Sequence, residues 1–120
     1  MRREPHKTAF SKTKQATSSE STPDQLREWY AAELLAQDLP ELQIVESSST
    51  ATLVNQPAAR VRYVYRPWAD APLRENIVLL TATDDGLLSA MLSAPQLAYF
   101  ERALPDFETM AASVTSKGVP

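Results

Sequence analysis

The sequence predicts a small α+β domain: an antiparallel sheet of about four strands with two helices packed on one face. Three observations carry this prediction. Residues 73–94 hold two apolar runs around the turn signal "DDG", which read as a β-hairpin. Ahead of them, "TPDQLREWYAAELLAQ" carries helix-start signals, and behind them Leu97, Phe100, Leu104, Phe107, Met110 and Val114 recur at three- and four-residue spacing. A chain of 120 residues with 43% hydrophobic content suits one domain with a real core.

The elements follow in order. Residues 1–21 are rich in Ser, Thr and Lys and poor in large apolar side chains, so they are expected to be mostly mobile, with one short edge strand around Thr8 to Lys12. Thr22 then reads as an N-cap, Pro23 as the first helical residue and Gln25 as the capping-box partner. The helix is expected to reach about Asp38, burying Leu26, Tyr30 and Leu34, before Pro40 stops it. A strand from Leu42 to Ser47, continuing past a Ser/Thr kink through Leu53, turns at Asn55 to Pro57. In "AARVRYVYRP", Ala59, Val61, Tyr63 and Tyr65 face one way, while Arg60, Arg62, Val64 and Arg66 face a solvated side.

The loop Pro67 to Pro72 leads to the hairpin. A two-residue Asp85-Gly86 turn sets Leu80 opposite Met91 and Leu79 opposite Leu92. Face one then holds Ile77, Leu79, Leu88, Ala90 and Leu92. Face two holds Asn76, Val78, Leu80, Leu87, Ser89, Met91 and Ser93. Apolar residues on both faces mean that both are covered or able to be covered. Pro95 opens the last helix, which Pro105 kinks or divides, and residues 116–120 fray.

Composition excludes several chemistries. Without cysteine there are no disulfides, thiolate metal sites or cysteine nucleophiles. The single histidine, His6, sits in the polar N-terminal segment, where an exposed residue without a role is the simplest reading. No clustered carboxylates suggest an acid/base couple, since Glu41 and Glu46 fall on separate sides of a strand and Asp84 and Asp85 read as turn residues. The net charge of -3 divides into +3 over residues 1–21 and -6 over the rest, which argues against nucleic acid as the main partner. Nothing reads as an export signal or a membrane span, so a cytoplasmic location is expected.

The succession "LREWYAAELLAQDLPELQIVESSSTATLVNQPAARVRYVYRP", "IVLLTATDDGLLSAMLSAP" and "FERALPDFETMAASV" resembles the DcrB-related proteins of the PsbP-like superfamily. Within that group it is most similar to the Eag chaperones of type VI secretion effectors. The resemblance covers about residues 22–115. Two features depart from the family pattern: Asn55-Gln56-Pro57 replaces a common glycine turn, and one or two strands that usually precede the first helix are missing, with "MRREP" resembling the end of one. The resemblance implies a non-enzymatic chaperone, a homodimer without cofactor, metal, nucleic-acid partner or direct membrane insertion. Its partner would be a secreted effector whose apolar N-terminal helices lie on the sheet. The implied partner-binding residues are the face-two set Asn76, Val78, Leu80, Leu87, Ser89 and Met91; Trp68, an aromatic in a proline-flanked loop, reads either as a cap over the sheet end or as an exposed partner anchor. The residues themselves leave two readings open for Val78, Leu80 and Met91: a client groove, or ordinary core covered by the chain's own N-terminus. A stand-alone PsbP-like binding or structural module is the corresponding alternative function.

Overall fold

The computed structural model describes residues 2–68, 70–95, 104–107 and 109–110. It is an α+β fold built on one five-stranded antiparallel sheet. The strands are β1 (Arg2–Glu4), β2 (Gln43–Leu53), β3 (Gln56–Tyr65), β4 (Arg74–Thr83) and β5 (Gly86–Pro95), in spatial order β1-β5-β4-β3-β2. One long helix, α1 (Pro23–Ala36), precedes β2, and residues 104–107 and 109–110 are helical. Pro95, expected to open the last helix, is instead the final residue of β5, paired with Arg74; the expected helix over residues 96–103, and the end of the chain from 111, lie outside the described residues.

Helix α1 starts where the cap residues require. Thr22 Oγ1 accepts from the Gln25 amide at 3.2 Å, and Gln25 Oε1 accepts from the Thr22 amide at 3.0 Å, so two of the otherwise orphaned donors are satisfied reciprocally. The helix ends two residues before the expected Asp38, which itself takes a left-handed conformation (φ 57).

The hairpin is real, with a different register. Its loop is Asp84-Asp85, and Thr83 pairs with Gly86, so Leu80 lies opposite Ser89, Val78 opposite Met91 and Leu79 opposite Ala90. This differs from the expected register by two residues. Because side chains alternate with a period of two, the membership of both faces is unchanged. The preceding hairpin turns at Val54-Asn55, both at positive φ (49 and 63), rather than at Asn55 to Pro57; Gln56 already pairs with Leu53. β2 pairs with β3 with two one-residue slips, one between Ile44 and Glu46 and one between Ser48 and Ala51; the second falls at the expected Ser/Thr kink.

The sheet separates two hydrophobic clusters. Ile77, Leu79, Leu88 and Ala90 on face one pack with Leu53, Ala58, Leu104 and Phe107. Val78, Leu80 and Leu87 on face two pack with Ala59, Val61 and Tyr63 and with Leu26, Leu34 and Phe10. The expectation of both helices on one face is therefore corrected: α1 lies on face two, and the helical residues around Phe107 lie on face one. The apolar stripe of a helix specifies that a partner surface exists, and here both faces of β4 offer one. Seven consecutive residues, Glu75 to Thr81, are buried in this central strand.

The N-terminal segment is likewise packed rather than mobile. β1 pairs Arg2–Glu4 with Leu87–Ser89, so the edge strand lies well before Thr8. Phe10, 2% exposed, inserts under α1 beside Tyr30, with the rings edge to face at 6.4 Å. One buried aromatic is worth roughly 1.5–3 kcal/mol, enough to hold a short strap whose composition is otherwise polar.

Arg60, Arg62 and Arg66 do not form a simple solvated face. Arg60 pairs with Glu46 at 2.8 Å, Arg62 with buried Glu75, and Arg66 with Glu41. Each joins neighbouring segments of the sheet, and the carboxylates Glu41 and Glu46 are thereby engaged by arginine.

Candidate functional site

On face two, between the strap, α1 and the β4–β5 hairpin, lies a cleft of about 510 Å³. Val78 and Leu80 from β4 and Leu87 from β5 form its apolar floor; Ser89 and Met91 continue along β5. The far wall is made by Thr8 to Ser11 and by Tyr30, Glu33 and Gln37 of α1. Arg2 and Glu4 close the end at β1, because they lie opposite Ser89 and Leu87 and so share their face; their side chains pair at 2.6 Å.

Two polar anchors shape the wall. Glu33 is buried and accepts from the backbone amides of Lys12 (3.0 Å) and Thr13 (2.9 Å) and from the Thr13 hydroxyl (3.3 Å). These bonds hold the tight loop closed by the Phe10–Gln15 bridge, in which Lys14 has φ 60. His6 is the second anchor, which corrects the expectation of an exposed residue without a role. Its Nε2 lies 2.6 Å from the Thr83 carbonyl and its Nδ1 2.7 Å from Thr17 Oγ1. Since a carbonyl only accepts, Nε2 carries the proton and donates, so the ring ties the strap to the end of the hairpin.

Behind the wall an aromatic row runs Phe10, Tyr30, Tyr63, Tyr65 with successive centroids 6.4, 6.2 and 6.0 Å apart. Burial raises the Tyr30 phenol well above its ordinary value of 10.0, and the neighbouring Tyr63 hydroxyl, 3.4 Å away, adds to the effect. Tyr30 is neutral at any physiological pH and presents a polar tip on an apolar body.

Five of the seven candidate residues thus line one cleft: Val78, Leu80, Leu87, Ser89 and Met91. Their exposure differs sharply. Leu80 is 2% exposed and Met91 51%, so the floor belongs to the core and the rim of β5 is open. Asn76 shares the face but lies outside the cleft; it is buried, and its Oδ1 has no hydrogen-bond partner among the described residues. Trp68, 64% exposed, stands apart in the loop before β4. The residues not anticipated are those of the strap and the polar wall. The sequence did contain one signal, since Glu33 interrupts the stripe Leu26, Tyr30, Leu34, and a carboxylate in an apolar stripe calls for buried donors.

Among the described residues, no group of three or more His, Asp or Glu is placed to hold a metal ion, and no helix is long and apolar enough to cross a membrane. Chemically, the cleft offers shape, apolar contact and a polar rim. No family model, curated protein or solved structure matches this chain.

Proposed function

We propose that the protein is a non-enzymatic adaptor that receives apolar side chains of a partner protein in the face-two cleft. The observation carrying this reading is the open rim at Met91 above a floor of Val78, Leu80 and Leu87. A cleft of about 510 Å³ takes a short row of side chains rather than a whole helix, so the client lays one apolar face of a helix along β5. Ser89 at the rim allows close approach and a weak hydrogen bond. With the resemblance to Eag chaperones, the proposed client is the apolar N-terminal helical region of a type VI secretion effector, held in the cytoplasm before export.

One observation favours a second reading. The floor residues are already covered by α1 and Phe10, as in a stand-alone PsbP-like module whose second face is filled internally. Met91→Asp separates the two. At an exposed position the carboxylate meets water, so the variant keeps the wild-type melting curve, while its capture of an apolar effector segment in co-expression pull-downs is abolished because binding would bury an unpaired charge. Leu80→Asp unfolds the protein under either reading. Capture unaffected by Met91→Asp, or no capture of apolar helical segments by the wild type, refutes the adaptor reading.

A further inference from the structure

The lysines of this chain are unevenly placed. Lys7, Lys12 and Lys14 all fall in the strap, Lys117 is the only other, and no carboxylate lies between Pro5 and Thr17. All three strap lysines are exposed, and among the described residues none takes part in an ion pair. The arginines behave differently, since Arg2, Arg3, Arg27, Arg60, Arg62 and Arg66 each meet a carboxylate of the chain itself. The cleft borders this basic segment. Its far wall runs through Thr8 to Ser11, so Lys7 and Lys12 bracket the wall and Lys14 follows in the same loop. Of the carboxylates lining the cleft, Glu4 pairs with Arg2, and Glu33 is engaged by the Lys12 and Thr13 amides. An apolar floor thus meets a basic wall, on a protein whose remaining residues are acidic.

We propose that the strap lysines form a basic border that selects an acidic amphipathic helix for the cleft, with apolar side chains on one face and Asp or Glu on the adjoining one. The inference rests on the adaptor reading and narrows its client. Apolar contact is non-directional, so the floor and the Met91 rim alone accept any apolar helix. A charged flank adds discrimination: the right partner is steered towards the wall, and a wrong one brings like charge to it. Lysine suits this use, because its ammonium is a compact charge on a flexible stem and follows carboxylates at varied positions, without the fixed fork geometry of arginine. On a helix whose apolar residues recur at i, i+3 and i+4, the acidic residues belong on the flank turned to the strap rather than opposite the floor. Each exposed ion pair contributes at most about fivefold in affinity, so the three together give on the order of tenfold, which salt screens away.

The test uses the full chain and three fluorescent helical peptides that share one leucine stripe and carry glutamate, glutamine or lysine on the adjoining face. Anisotropy in low salt is expected to rank them in that order, with about tenfold between the glutamate and glutamine peptides, and high salt to erase the ranking. A variant combining Lys7→Gln, Lys12→Gln and Lys14→Gln is expected to keep the wild-type affinity for the glutamine peptide and to lose the preference for glutamate. The three positions are exposed, so its melting curve matches that of the wild type; if it does not, the peptide ranking with the wild type decides alone. Met91→Asp is expected to abolish binding of all three peptides. Equal affinities for the three, or a glutamate preference that survives the triple replacement, overturns this inference and leaves the adaptor reading standing. Equal affinities together with lysine-dependent capture of phosphatidylserine vesicles assign the lysines to a lipid surface and likewise overturn it. Failure to bind any of the peptides, or binding that survives Met91→Asp, overturns both.

Discussion

Gly86→Ala tests how the strap is seated. Gly86 has φ 147, a backbone region that residues with a Cβ rarely adopt, and a Cβ built there lies 2.3 Å from the Glu4 carbonyl oxygen. The first effect is local strain of about 1–3 kcal/mol. The second is steric: the obstacle is backbone, so no side-chain rotation relieves it, and β1 has to leave β5. Releasing three paired residues loses on the order of two interstrand hydrogen bonds, at about 1 kcal/mol each. The expected destabilisation is therefore about 3–5 kcal/mol by urea denaturation, with faster amide exchange at Arg2 to Glu4. A double-mutant cycle with deletion of residues 1–4 isolates the steric part. In the deletion background only the strain remains, so the cost of Gly86→Ala falls by about 2 kcal/mol. A cost unchanged by the deletion would show that β1 does not press on Gly86, and the seating of the strap described above would be wrong.

Other perturbations have equally defined outcomes. Thr22→Ala removes one half of the capping box and is expected to cost about 1 kcal/mol in chemical denaturation; an unshifted midpoint refutes the cap. Glu33→Ala strands the Lys12 and Thr13 amides, so a loss of about 1.5–3 kcal/mol is expected, together with exchange protection lost at those two amides and retained within α1. Tyr30 has a folded-state pKa raised by burial, so the neutral phenol is the folded form: its contribution is complete below pH 10.0 and is lost as pH rises above that value. Wild type is accordingly expected to lose stability more steeply than Tyr30→Phe above pH 10.0 in melting curves, and parallel profiles count against a buried phenol.

Local chemistry made part of this structure legible from the sequence. Thr22, Pro23 and Gln25 mark the helix start unambiguously because their hydrogen bonds are made within four residues. The faces of the β4–β5 hairpin are equally readable, and they survived a wrong turn assignment because the error of two residues preserves parity. Long-range choices were not legible. Leu26 and Leu34 show that α1 needs a surface, yet Ile77 to Leu80 present apolar side chains to both sides, and nothing local selects between them. The strap was missed because its seating depends on one side chain, Phe10, amid polar residues, and on partners distant in sequence: Thr83 for His6 and Glu33 for the loop around Thr13. In the cleft, the floor was readable from alternation, whereas the wall required knowing where the strap lies.

The two bulges of β2 have a consequence for solution behaviour at high concentration. A protein whose sheet had two regular edges would be a repeating unit, able to add copies at either end and grow into a filament. Here one end of the sheet is disqualified as a growing point by the slips between Ile44 and Glu46 and between Ser48 and Ala51. The slips act as a stopper at this end of the sheet: straightening β2 by deleting Val45 and one residue of Ser49-Thr50 would restore a regular edge to which further copies could add.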